Sequence, residues 1–275
     1  MLSVVIPTHS KRALLQRTLA ALDAQELPAG TEWEIVVVND GSTDDTGAWL
    51  EQAGAQPGSR LRVVTPPANV GRARARNLGA EAARGRWLVF LDDDIVAPPG
   101  LLAAHLELLG RHPTDGTIGY AVTAPELVDA PHLRYLDTRG VARLGPGPAP
   151  GRYFVTQNAA VPRAAFAAVG GFDEAFLSYG FEDMEVAFRL EDRAGVRFIA
   201  CRRRYRCMSI TTPSASCWPS AGNAGAARCA CWRSVTPGAC ARCRCTMSST
   251  GRGSRKPAPS AACCGRRWTP AWRPR

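Results

Sequence analysis

Asp92-Asp93-Asp94 stand directly behind the apolar run Trp87-Leu88-Val89-Phe90-Leu91, and that placement suits a cation. The run reads as a buried parallel strand, and in open α/β sheets ligands bind where strands end. Three carboxylates at one strand end repel each other unless something neutralises them. Oxygen-only ligands fit Mg2+ or Mn2+, and a hard cation with open positions can hold a diphosphate. Helix-capping aspartates at a solvated strand end would explain the same triplet. Glu182-Asp183, after Tyr179-Gly180-Phe181, form a second acidic pair in the first turn of a helical segment, where carboxylates also suit the helix dipole. Asp40, in Asn39-Asp40-Gly41-Ser42, can accept hydrogen bonds from a nucleobase N–H or a ribose hydroxyl, or can serve the turn that Gly41 shapes. Pro7 and Thr8 lie after the first predicted strand, at the same ligand edge. Asn69 to Asn77 opens a helix, and Gly71 allows close approach of backbone to a ligand. Arg76 can complement nucleotide phosphates or the acidic cluster, or join Arg72, Arg74 and Arg84 on a solvated face. Gln157 and Asn158 follow a predicted strand and can contact donor sugar or acceptor, or satisfy loop backbone. His9, His105, His112 and His132 have no metal-ligand spacing and read as surface residues.

The elements that must position these groups alternate in type. Apolar runs predict strands at Leu2 to Ile6 (ended by Pro7), Glu34 to Val38, Leu61 to Val64 and Arg86 to Leu91. Between them, helical spacing covers Lys11 to Gln25 and Ala73 to Ala83, with Thr43 or Asp44 as cap for another helix. This alternation predicts an α/β domain with a mostly parallel sheet flanked by helices on both faces. Further on, the pattern gives a helix at Pro99 to Leu109, a strand at Thr117 to Thr123, and a Gly/Pro-rich stretch at 144–151 that reads as a mobile loop over the site. A strand near Tyr153 to Val161, helices at Arg163 to Val169 and Glu182 to Ala194, and a last strand from Val196 complete the reading. No stretch of twenty apolar residues is present, so no transmembrane segment is expected. A cytoplasmic location follows, with peripheral membrane attachment left open.

Composition breaks near residue 200. The 275-residue chain carries 24 acidic residues, all within 1–200, and all ten cysteines follow that point. Residues 201–275 combine 15 Lys and Arg with no Asp or Glu, so the basic balance belongs to this segment alone. A nucleic-acid-binding or membrane-binding tail, a disulfide framework and zinc sites are competing readings. No histidine follows His132 to complete a Cys/His site, and hydrophobic periodicity vanishes. The favoured reading is a change of translational frame. Cys and Trp codons begin with TG, and read one base earlier each becomes a Leu, Val or Met codon. GC-rich back-translation then allows PEAVSLHVNHYT followed by helical, mixed-charge strings. On that reading 201–275 has no selected fold and is expected to be largely disordered, and the main domain has no nucleic-acid partner.

Six segments in order resemble family 2 glycosyltransferases of the GT-A fold. They are Val4-Val5-Ile6-Pro7-Thr8, Val37-Val38-Asn39-Asp40-Gly41-Ser42-Thr43-Asp44, Asn69-Val70-Gly71 with Ala75-Arg76-Asn77, Phe90-Leu91-Asp92-Asp93-Asp94, Gly170-Gly171-Phe172-Asp173-Glu174 and Gly180-Phe181-Glu182-Asp183. The resemblance covers residues 1 to about 199. It implies a nucleotide-sugar half at about 1–97 and an acceptor half at about 98–199, with 200–275 as the abnormal tail. It implies a UDP-, GDP- or dTDP-sugar donor and a saccharide, lipid or other hydroxyl acceptor. By resemblance Asp40 takes the base, Pro7 and Thr8 line its pocket, and Asn69, Gly71, Arg76, Asp92 and Asp93 serve the donor. Asp94 and Asp92 would carry Mg2+ or Mn2+. Asp183 would be the base, with Glu182 its partner or the alternative base, and one in-line attack would invert the anomeric carbon. The family often has a further ligand His after the strand at Val196; the printed sequence has none, whereas the alternative frame sets LHVNHY there. Metal-dependent nucleotidyl transfer, a non-catalytic nucleotide-sugar-binding module and an inactive frame-changed product are the rivals. A Rossmann dehydrogenase is disfavoured, because no GxGxxG follows the first strand.

Overall fold

The computed structural model describes residues 1–124, 137, 143–176, 180–201 and, for the backbone alone, 207–209. The chain divides into two compact units, Met1–Arg228 and Cys229–Arg275, and every described residue lies in the first. The expectation of a disordered tail therefore falls almost entirely outside the described residues.

The chain begins β1 (Leu2–Thr8), α1 (Arg12–Asp23), β2 (Trp33–Asn39), α2 (Thr46–Gly54), β3 (Leu61–Val64), α3 (Arg72–Ala82) and β4 (Trp87–Leu91). It continues with β5 (Ile95–Val96), α4 (Leu101–Arg111), β6 (Gly116–Ile118), β7 (Ala121–Thr123), β8 (Gly147–Ala149) and a 3-10 turn (Gly151–Tyr153). Then come β9 (Asn158–Pro162), α5 (Arg163–Ala168), α6 (Glu182–Ala194), β10 (Phe198–Ala200) and β11 (Cys207–Ser209). Eight strands form one sheet in the order β3-β2-β1-β4-β9-β6-β10-β8, and β5-β11-β7 form a small second sheet. The β3-β2-β1-β4 half is wholly parallel; β9 runs antiparallel between β4 and β6.

Strand alternation sorts the core onto two faces. Val5, Val36, Leu88 and Phe90 pack with α3, α5 and α6, where Phe90, Phe166 and Phe172 stack with centroids 5.2–5.3 Å apart. Val4, Ile6, Ile35, Val37, Val89 and Leu91 pack with α1, α2 and α4. Helices thus cover both faces, as the alternating pattern predicts. Gly79 lets α3 approach β1: a Cβ there would lie 2.4 Å from Val5 Cγ1.

Three expectations need correction. Pro7 does not end β1, because pairing with β4 stops at Val5 while pairing with β2 runs on to Thr8. Pro7 lies where one neighbour has already departed, so its missing N–H costs no ladder bond on that side. Thr117 to Thr123 is two strands, β6 and β7, in different sheets. The 144–151 stretch holds β8, which pairs antiparallel with β10, Pro148 opposite Ile199. An edge position tolerates that proline. It also places the stretch four strands from β4, away from the acidic triplet.

Candidate functional site

The strand ends of β1, β2 and β4 bring the first group of residues together. The Asp40 N–H donates to the Thr8 carbonyl oxygen at 2.9 Å, which ties the exit of β2 to that of β1. The Asp40 carboxylate accepts from the N–H groups of Val70 (2.6 Å) and Gly71 (3.1 Å) at the entry to α3. His9 Nδ1 and Asn69 Nδ2 both lie within hydrogen-bonding distance of the Asp40 carbonyl oxygen, at 2.7 and 2.9 Å. Gly41 permits this approach: its φ is +67°, and a Cβ would sit 2.7 Å from Asn69 N. Asp40, at 5% exposure, is therefore engaged with the Asn69–Gly71 loop through both carboxylate oxygens.

After β4 the three aspartates part. Asp92 and Asp94 are half-buried, whereas Asp93 is buried. Asp93 turns toward α1: Lys11 Nζ donates to Oδ1 at 2.8 Å, Thr8 Oγ1 to Oδ2 at 2.9 Å, and Thr18 Oγ1 to its carbonyl at 2.9 Å. Burial pushes the Asp93 carboxyl up, against the pull of Lys11. Burial lowers Lys11, but Asp93, Asp94 and Asp92 outweigh it, and its ammonium ends above the usual lysine range. Asp92 turns the other way, accepting from Arg76 Nη2 at 3.0 Å.

Arg76 connects this strand end to the second acidic pair. Its side chain, 4% exposed, donates through Nη1 to Glu182 Oε1 at 3.4 Å and lies over the Phe172 ring at 5.8 Å. Burial lowers Arg76, but Asp92, Asp183 and Glu182 together raise it. Its Nε is buried with no partner among the described residues. Asp183, next along α6, accepts from Thr156 N at 3.2 Å and Thr156 Oγ1 at 3.0 Å. Burial pushes the Asp183 carboxyl up to about 6; Arg76 opposes the rise, and Glu182 and Asp92 add to it. Phe181, just before the pair, has φ +74° and is 63% exposed, an unusual backbone state for a bulky residue.

The fold thus joins Asp92 to Glu182 through Arg76, and Asp93 to Thr8 directly. Gln157 is half-buried and makes no side-chain hydrogen bond to a described residue. Asn158 is placed differently from the expected sugar contact. It is 2% exposed; Nδ2 donates to the Tyr120 carbonyl at 3.2 Å, and Oδ1 accepts from His105 Nε2 at 2.9 Å. His105, expected at the surface, is fully buried on α4 and also bonds Thr117 Oγ1 at 2.7 Å. Burial lowers its pKa, which keeps the imidazole neutral in this network. Sequence reasoning missed Lys11 and Thr156; each lies within three residues of a residue that was singled out, but pairing across the fold gives no local signal. His132 and Tyr179 lie outside the described residues.

A mostly parallel sheet covered by helices on both faces, with carboxylates at the ends of β2 and β4, is an α/β domain of the GT-A type. The family model for Glycosyl transferase family 2 matches residues 3–169. The chain belongs to that family. Validoxylamine A glucosyltransferase of Streptomyces hygroscopicus subsp. limoneus is 34% identical over 223 residues, covering 69% of this chain and 48% of that protein. The chain therefore spans about half the length of that relative. Among solved structures, S. aureus TarS 1-349 in complex with UDP superposes with a TM-score of 0.62 at 20% identity, covering 77% of this chain and 61% of that one. The mannosyltransferase PcManGT from Pyrobaculum calidifontis in complex with GDP-Man and Mn2+ gives 0.61 at 24% identity, covering 78% and 58%. These two show the shared fold.

Proposed function

We propose that this domain is built to move a sugar from a nucleotide-sugar to an acceptor hydroxyl with inversion, using a divalent cation. The observation that carries the reading is Arg76, which holds the strand-end Asp92 and the helix-borne Glu182 on one guanidinium, with Asp183 beside them. Five carboxylates, Asp92, Asp93, Asp94, Glu182 and Asp183, share this part of the molecule with two paired cations, Lys11 and Arg76. Fully ionised, that set keeps an excess of negative charge, which suits a bound cation.

Asp94 and Asp92 are the residues that would hold it. Both are half-exposed oxygen donors, and no cage of three or more His, Cys, Asp or Glu is found among the described residues. Such a set fits Mg2+ or Mn2+, which bind through one or two carboxylates plus substrate phosphates. When bound, the ion supplies neutralising charge for the departing nucleoside diphosphate. Asp93, closed off by Lys11 and Thr8, anchors the strand end to α1 and leaves donor contact to its neighbours. Asp40, Asn69 and Gly71, with Pro7 and Thr8, form the corner for the base and ribose.

Asp183 takes the proton from the acceptor hydroxyl. A carboxyl raised to about 6 is ionised near neutral pH yet basic enough to share a proton, the condition general base catalysis favours. Glu182, paired with Arg76, keeps that guanidinium in place. A single attack from the Asp183 side displaces the diphosphate and inverts the anomeric carbon. The donor-half and acceptor-half boundaries at about 97 and 199 belong to the same proposal, as does the frame-changed origin of 200–275. Strand β11 bears on the latter: it returns the backbone beside β5, Met208 opposite Val96, just past Asp94. The alternative frame sets LHVNHY in that region.

The test is product analysis. UDP-, GDP- and dTDP-sugars are incubated with Mn2+ and acceptor, and the phosphates are resolved by 31P NMR and the new anomer by 1H coupling. Nucleoside diphosphate with an inverted glycoside is expected. Pyrophosphate release would instead establish nucleotidyl transfer. A form with the alternative frame restored, run in parallel, separates a wrong chemistry from a damaged chain.

A further inference from the structure

We propose that Thr156 is the positioning residue of the base, gripping both oxygens of Asp183 and so fixing the direction in which the carboxylate accepts a proton. The inference deepens the functional reading above and rests on it for the word base. Thr156 lies between the 3-10 turn at Gly151–Tyr153 and β9, and is 1% exposed. Its N–H donates to Asp183 Oδ2 at 3.2 Å and its hydroxyl to Oδ1 at 3.0 Å. One residue therefore contacts both oxygens, which sets the rotation of the carboxylate plane as a single bond could not. Each oxygen has about two acceptor sites, so one on each stays open for an acceptor hydroxyl.

The surrounding charges cannot supply this orientation. Arg76 on α3 attracts Asp183 electrostatically, but its terminal nitrogens donate to Asp92 and Glu182. Glu182 on α6 and Asp92 behind β4 repel it. Two repelling carboxylates and one non-bonded guanidinium leave the torsion free unless a donor fixes it. Thr156 is that donor, and its neighbour Gln157, with no described side-chain hydrogen bond, extends the same loop.

Thr156→Val keeps the β-branched shape and the N–H but removes the hydroxyl; Thr156→Ser keeps both donors. The readout is the 13C titration of the Asp183 carboxyl in the unliganded chain. Loss of a hydrogen bond to a charged acceptor should raise the midpoint in Thr156→Val by about one pH unit. Thr156→Ser should titrate with the wild type. An unmoved midpoint in Thr156→Val, or equal shifts in both variants, overturns the proposal. Should Thr156→Val not fold, hydrogen exchange of the Thr156 amide decides. Exchange roughly tenfold or more faster in Asp183→Ala supports the grip, and unchanged exchange overturns it. Failure of the functional reading looks different: no nucleoside diphosphate from UDP-, GDP- or dTDP-sugars, either in this chain or in the form with the alternative frame restored, while the titration still shifts.

Discussion

Asp183 pays in stability for the proton affinity that suits a base. Its folded pKa, about 6, lies above the ordinary carboxylate value of 3.8, so the folded protein binds the proton more tightly than the unfolded chain. Stability from this group is complete below the unfolded pKa and is lost as pH rises through about 6. The ionised group then costs on the order of 3 kcal/mol. Asp183→Asn should therefore raise Tm at pH 8 and bring little gain at pH 3.5, read by scanning calorimetry, while transfer falls by ~10²–10⁴-fold. Arg76→Met should do the opposite. It leaves Asp92, Glu182 and Asp183 facing each other without a counter-charge, and breaking a buried pair costs about 3–5 kcal/mol, measurable by urea unfolding. Arg76→Lys should not rescue it, since one ammonium cannot span Asp92 and Glu182 as the fork does. At Phe181, with φ +74°, glycine should relieve backbone strain of order 1–3 kcal/mol and raise Tm, because the exposed ring gives up little packing.

At the scale of elements, α3 is the part most tightly specified. It carries Arg76 at the acidic cluster, begins at the loop that Asp40 holds, and packs on β1 across Gly79. Gly79→Val would drive a side chain into Val5 and Val38, lifting the helix and with it Arg76. The expected result is lower stability and, by NMR, loss of the Arg76–Asp92 contact together with the Arg76–Glu182 contact. The parallel half was legible in sequence because buried parallel strands are continuous apolar runs, and Leu61 to Val64 is found with the predicted bounds. β8 was not legible. A Gly-Pro-rich stretch has loop composition, and only the open edge beside β10 makes a strand of it. His105 was missed because its pairing to Thr117 and Asn158 joins three elements that sequence does not bring together. The residue types of the site were visible, since Asp, Glu and Arg at element ends stand out. Their sorting was not: nothing local says that Asp92 faces Arg76 while Asp93 faces Lys11.

For the molecule as a whole, two acidic segments about ninety positions apart meet over one arginine; the family match takes in Asp92 and Arg76 and ends before Glu182. The composition break near residue 200 falls just before β11, whose partner β5 follows Asp94 directly. Restoring the alternative frame should strengthen Mn2+ binding without altering the β1–β4 half, as read by titration calorimetry and amide shifts. The central proposal is that Asp92 and Asp94 hold a cation, and the direct measurement is calorimetric binding of UDP, GDP and dTDP with Mn2+ and with EDTA, in the wild type and in Asp94→Asn. Affinity for at least one nucleotide that requires Mn2+ and falls tenfold or more in Asp94→Asn is the expected result. Binding that ignores both the metal and the substitution would contradict it.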